Sequence, residues 1–200
     1  MSRSLFSLIA SALFLISLES SADTLRLGNP GYGGTGCPAG TASVTVSPDQ
    51  KSLSLLFDNY VSEAGNETRK RMDRKSCNIT VPVHVPQGFS VAVFQVDYRG
   101  FNSLPRGGQS RFNAEYFWAG SRGPLATKTV YGPVNADYTF TNGLEATALV
   151  WTPCGASVNL RVNTSLMVTT NSAMEQAMGT VDSADFTSGL IYHLQWRSCN

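Results

Sequence analysis

The chain has 200 residues, 42% of them hydrophobic and 14% charged, with a formal net charge of +1. A soluble protein averages about 25% charged residues, so this balance gives no electrostatic footprint for nucleic acid and no strong attraction to an anionic membrane. The length suits one domain with a sizeable core, and no Pro/Ser-rich or charged run marks a linker.

In chain order, the first predicted element is a leader. Arg3 supplies a positive start, Leu5 to Leu18 an apolar run, and Ser20 and Ala22 the small residues of a cleavage site. The pattern predicts a secretory signal peptide over residues 1–22, cut after Ala22. Its apolar run falls short of the roughly 20 residues that cross a bilayer, and no later segment reads as transmembrane. Residues 23–200 are then one exported domain, extracellular or, in a Gram-negative host, periplasmic.

GNPGYGGTGCPAG follows, with Gly31, Gly33 and Gly36 in the spacing G-x-G-x-x-G. A dinucleotide loop must follow a strand and open a helix, because the pyrophosphate sits on the helix N-terminus. Here the segment follows the new N-terminus, Pro38 comes two residues after Gly36, and a strand pattern comes next. A phosphate loop fails as well, since Cys37 and Pro38 stand where Lys and Ser/Thr are needed. The glycines read instead as an irregular segment turning tightly beside Cys37.

Period two dominates the rest. Ala42, Val44 and Val46 alternate with Thr41, Ser43 and Thr45; after the turn SPDQ, Leu53, Leu55 and Phe57 continue the pattern. Ile79, Val81, Val83 and Val85 share a face, and Pro82 on the other face argues for an edge or bulge. FSVAVFQVDY, Phe89 to Tyr98, is apolar on both faces and reads as a central strand. Val158, Leu160, Val162, Leu166 and Val168 form another face, and Leu190, Tyr192, Leu194 and Trp196 a last one. NSAMEQAM, Asn171 to Met178, is the one stretch that reads as helical. The fold class is all-β: an antiparallel, jelly-roll-like β-sandwich of about eight to ten strands with at most one short helix.

Cys37, Cys77, Cys154 and Cys199, an even count behind an export signal, read as two disulfides. Four cysteines permit three connectivities. Cys37–Cys77 with Cys154–Cys199 is preferred, because each staples one half of the chain and the second ties down the C-terminal end. No Cys/His cluster has metal-ligand spacing, and neither a metal nor a cofactor is expected.

Catalytic signatures are absent from the sequence: no G-x-S-x-G, no H-E-x-x-H and no cysteine left for nucleophilic work. His84 and His193 each fall opposite the apolar face of their strand. Asp58, Asp97, Glu115, Glu145, Asp182 and Asp185 are scattered acids, two of which would suffice for a glycosidase. Arg69, Lys70, Arg71, Arg74 and Lys75 concentrate in NETRKRMDRK and read as a hydrophilic basic loop that offers a contact to an anionic surface. Tyr98, Tyr116 and Trp118 flank polar stretches, and with Arg99 and Arg111 as polar partners they form a candidate contact surface for a sugar ring; core packing is the competing reading. Asn66-Glu67-Thr68, Asn78-Ile79-Thr80 and Asn163-Thr164-Ser165 are acceptor sequons for N-glycosylation, relevant in a eukaryotic secretory pathway.

GYGGTGCPAG, SPDQKSLSLLFDNY, DRKSCNITVPVHVPQGFSV, VDYRGF, VWTPCG, LRVNTSL, VDS and LQWRSC, in that order, resemble the secreted family called domain of unknown function 4360, from about Gly28 to Cys199. The resemblance implies an exported, cysteine-bearing single domain and no particular activity. The expectation is a non-catalytic exported module that binds a glycan or a protein at the cell envelope or in the extracellular matrix. A carbohydrate-active hydrolase using an Asp/Glu pair and a structural or assembly protein of the envelope are the alternatives.

Overall fold

An apolar face on every second residue has to be buried against something, and this chain buries one such sheet against another. The computed structural model describes residues 24–143, 149–181 and 190–199. They form β1 (Arg26–Leu27), β2 (Gly31–Gly33), β3 (Ala42–Val46), β4 (Ser52–Phe57), β5 (Val61–Ala64), β6 (Met72–His84), β7 (Phe89–Leu104), β8 (Gln109–Trp118), β9 (Leu125–Tyr131), β10 (Val134–Gly143), β11 (Ser157–Thr169), β12 (Ala177–Thr180) and β13 (Leu190–Ser198). The excess over eight to ten strands lies in β1, β2, β5 and β12, which are only two to four residues long.

Sheet A has the order β1-β6-β11-β8-β9, with β2 also on β6; sheet B has the order β3-β4-β13-β7-β12-β5, with β10 also on β7. Every pairing is antiparallel. Sheet A contributes Ile79, Val81, Val83, Phe112, Tyr116, Leu160 and Val162 to the interior; sheet B contributes Leu53, Leu55, Val91, Val96, Tyr98, Leu190 and Tyr192. Rings interlock across it: Tyr98 meets Phe112 edge-on at 5.4 Å and Tyr116 meets Tyr192 edge-on at 5.5 Å. Pro82 behaves as its missing N–H requires. The outer edge of β6 is covered by β1 opposite Val83 and by β2 from Thr80 onward, and the interruption between them falls at Pro82.

Both preferred disulfides are present, Cys37–Cys77 and Cys154–Cys199. The glycine-rich segment serves the first. Gly36 runs so close beneath the buried Tyr60 ring that a Cβ there would lie 2.4 Å from it, and its N–H donates to Ser76 O at 2.8 Å. This approach sets Cys37 beside Cys77. The second bridge holds a segment that extends the edge of β7: Thr152 N–H donates to Val91 O at 2.9 Å, Gly155 N–H to Phe89 O at 2.9 Å, and the Arg197 guanidinium sits 4.3 Å over the Trp151 ring.

No helix occurs at Asn171 to Met178, contrary to the sequence expectation. Asn171 turns the chain instead: its carbonyl accepts from Met174 N–H at 3.1 Å and its Oδ1 from Glu175 N–H at 3.2 Å, while Met174 takes φ 58°. An Asn side chain that captures a nearby backbone N–H competes with helix propagation. Beyond it Ala177 and Gly179 point inward in β12. The expected leader falls outside the described residues, among which no helix is long and apolar enough to cross a membrane.

Gly100 faces Tyr138 across β7 and β10, and a Cβ there would lie 2.1 Å from Thr180 O, the same carbonyl that accepts the Tyr138 hydroxyl at 2.9 Å. Gly100→Ala is therefore expected to cost about 1–3 kcal/mol through overpacking, read as a lowered urea midpoint. Closing a loop between cysteines separated by 40 positions stabilises by about 4 kcal/mol in the chain-entropy model. Cys37 and Cys77 are fully buried, whereas Cys154 is exposed and Cys199 partly so. Mild reductant under native conditions is expected to open Cys154–Cys199 first, as differential alkylation and mass spectrometry would record; initial labelling of Cys37 would contradict this.

Candidate functional site

The five residues expected to form one contact surface do not meet. Tyr116 and Trp118 share the inward parity of Phe112 and Ala114 on β8, and Tyr98 the inward parity of Val96 on β7, leaving them 2%, 4% and 0% exposed. Burial pushes the Tyr116 phenol up to about 12 and raises Tyr98 further. Trp118 Nε1 donates to Val150 O at 3.1 Å. The space beside these rings, about 20 Å³ between Val93, Trp118, Val150 and Leu160, is the size of one water. These aromatics are core, as the competing reading held. Arg99 and Arg111 do reach solvent-facing positions, but on opposite sides of the molecule: Arg99 outside sheet B, beside Thr139, and Arg111 outside sheet A, in the row Arg74, Met167, Arg111, Thr129.

The basic stretch is a turn followed by a strand. Arg69, with φ 57°, and Lys70 lie in the turn closed by Gly65 N–H to Lys70 O, while Arg74 and Lys75 already belong to β6. Asp73 neutralises part of it, at 2.8 Å from Lys70 and 3.8 Å from Lys75. His84 and His193 lie on different sheets; His84 Nδ1 is 2.9 Å from Ser157 Oγ. Glu145, Asp182 and Asp185 fall outside the described residues, among which no group of three or more His, Cys, Asp or Glu side chains is placed to hold a metal ion.

A different constellation forms on the outer face of sheet B, and a single irregularity builds it. Along β7, Val91 and Val93 face inward, and so do Val96 and Tyr98, an odd step that two-residue alternation cannot make. The register with β13 shifts between His193 and Leu194: Leu194 opposes Val93 and His193 opposes Gln95, so Phe94 has no partner. This bulge leaves Phe94 36% exposed, and its ring lies 6.0 Å from that of His193.

Asp97 stands at the centre of this patch. Its Oδ2 is 2.7 Å from His193 Nε2, and its Oδ1 accepts from Thr141 Oγ1 at 2.6 Å and Gln95 Nε2 at 3.3 Å. A carboxylate only accepts, so Nε2 carries the proton and Nδ1 is the ring's second polar atom. Partial burial would raise the Asp97 carboxyl, but the bonds from Thr141 and His193, the His193 charge and the Gln95 bond hold it below its ordinary value. Flanking rows extend the surface: Thr45, Ser54, Ile191, Asp97 and Thr141 in one, and Ser52, His193, Gln95 and Gly143 in the next. The partners of Asp97 are a histidine, a hydroxyl and an amide. The patch thus sets a flat ring beside fixed donors and acceptors. Asp97 and His193 were both weighed from the sequence; their pairing, and Phe94, were not. The step from Val93 to Val96 was the available signal.

Residues 23–199 match the model of the family described as domain of unknown function (DUF4360), and the chain belongs to that family. An "Uncharacterized secreted protein" of Arthroderma benhamiae is 34% identical over 169 residues, covering 84% of this chain and 69% of the relative.

Asp73 is held low like Asp97: burial raises it, and the Lys70 bond, the Glu63 N–H and the charges of Lys75 and Lys70 outweigh that. Both carboxyls have a lower pKa folded than unfolded, so their stabilisation is complete above the unfolded value and is lost as pH falls through the folded one. Stability is expected to decline below about pH 4, and Asp97→Asn to make that acid decline shallower in urea titrations across pH.

Proposed function

We propose that this secreted family member is a non-enzymatic binding domain that takes a neutral glycan on the outer face of sheet B. The observation that carries the reading is the Asp97 carboxylate, fixed by His193, Thr141 and Gln95, beside the exposed ring of Phe94. A pyranose presents C–H groups on one face and hydroxyls around its rim. The electron-rich face of an aromatic ring suits the former, and a carboxylate, a planar amide and a neighbouring hydroxyl suit the latter.

Preorganisation supports the assignment, because side chains already held by one another lose little freedom on binding. Charge decides the class of glycan: an anionic polymer would meet Asp97 at the centre of the patch, whereas a neutral one would not. The flat sheet suits a chain lying across several strands, with Arg99 and Thr139 as further contacts along β7 and β10.

The test is affinity electrophoresis and pull-down of the secreted, oxidised protein on neutral polysaccharides, β-glucan, chitin and mannan, at low and high salt. Saturable binding is expected to survive high salt and to weaken about tenfold or more on Phe94→Ala or Asp97→Ala, with melting curves confirming folded variants. Arg111→Ala, on the opposite face, is expected to leave it unchanged. No retention on any polymer, or loss on Arg111→Ala alone, would overturn the reading.

A further inference from the structure

The outer face of sheet A carries a feature that glycan recognition on sheet B does not use. Asn78 and Asn163, the first residues of two sequons, are direct cross-strand partners on β6 and β11, and Asn66 of a third lies in the turn between β5 and β6. Their surroundings differ. Asn66 is exposed; its backbone N–H donates to Met174 O at 2.9 Å and its carbonyl accepts from Arg69, so the turn is fixed by main-chain bonds. Asn78 is exposed too, and on its other side lies β2, where Gly33 opposes Asn78 and Gly31 opposes Thr80. A Cβ on either glycine would meet nothing within 4 Å. Beside Asn78, therefore, the sheet presents a strip of bare backbone.

Asn163 is the opposite case. It is half-buried, its Nδ2 donates to Glu115 Oε2 at 3.2 Å, and the sequon hydroxyl of Ser165 is buried and accepts from Asn113 at 3.4 Å. Two glycans on Asn78 and Asn163 would also start from Cβ atoms only about 5 Å apart, the spacing of directly opposed residues. One of the pair is free to carry a sugar, and Asn78 has the open side.

We propose that Asn66 and Asn78 are N-glycosylation sites and that Asn163 is not, the Asn78 glycan lying over the Gly31–Gly33 strip. The donor class is a lipid diphosphate-linked oligosaccharide supplied by the secretory pathway of a eukaryotic host. The Asn Nδ2 forms a bond to the anomeric carbon, the bond from that carbon to the diphosphate oxygen breaks, the lipid diphosphate leaves with the electron pair, and the amide proton passes to a base of the transferase. Glycosylation would then cover the middle of sheet A and leave the sheet B face open, a division independent of whether that face binds a glycan.

The experiment is secretion of the full chain, with its own leader, from a yeast, followed by peptide-N-glycosidase release in heavy-oxygen water and peptide mapping. Asn66 and Asn78 are expected to appear as labelled Asp and Asn163 as unchanged Asn. Asn66→Gln and Thr80→Ala are each expected to remove one glycan from the intact mass, and Ser165→Ala none. Labelling at Asn163, at Asn66 alone, or at no site overturns the proposal. Should Thr80→Ala fail to be secreted, Asn78→Gln reads the same loss.

Discussion

Sheet B takes its registers from β7. That strand pairs with β13 along its first half, with β10 along its second and with β12 near its end, and Trp151 bridges to Ala92. β4 and β5 join only through β13 and β12. A strand of 16 residues serving so many neighbours must keep one face dry throughout, because any slip of one residue turns its apolar set toward solvent. The bulge at Phe94 is what allows this: it absorbs one residue, returns Val96 and Tyr98 to the interior, and in the same movement turns Phe94 outward beside His193. Core packing and surface chemistry here have one cause.

The two disulfides secure the parts that the sheets hold least. Cys37–Cys77 fastens an N-terminal segment of short strands and glycines to β6, and Cys154–Cys199 fastens the segment after β10 to the end of β13. Between them the interior is continuous, from Val83 and Leu160 at one sheet to Leu53 and Tyr192 at the other. Some polar groups inside it are bonded, as Thr164 is within 3.0 Å of Tyr60 Oη and donates to Cys77 O at 3.2 Å, whereas the buried hydroxyls of Tyr98, Tyr116 and Tyr192 have no hydrogen-bond partner among the described residues.

Much of the fold was legible because period two is a local property. Leu53, Leu55 and Phe57, and Ile79, Val81, Val83 and Val85, are buried as their alternation required. Tyr116 and Trp118 were legible by the same rule, since Phe112, Ala114, Tyr116 and Trp118 alternate with Arg111, Asn113, Glu115 and Phe117; their nearness to polar loops obscured it. Asn171 to Met178 misled because Ala, Met, Glu and Gln favour helix, while one Asn side chain at its start settles a turn. The Asp97 patch was hidden for a different reason. His193 is 96 residues from Asp97 and Thr141 is 44, and no local pattern reports a contact created by strand order and one bulge.

Between charged residues such as Asp97 and Arg111, the outer faces of both sheets carry hydroxyl and amide side chains: Thr45, Ser54 and Thr141 on one, and Asn113, Thr127, Asn163 and Ser165 on the other. Such groups satisfy water and one another without net charge, as in the bonds from Thr127 to Asn113 and from Asn113 to Ser165. Ionic screening acts on charges and barely on neutral hydrogen bonds. An exported protein has no cytoplasm to buffer its surroundings, and one held by apolar burial, disulfides and neutral surface ladders keeps its shape as ionic strength swings between dilute and concentrated media.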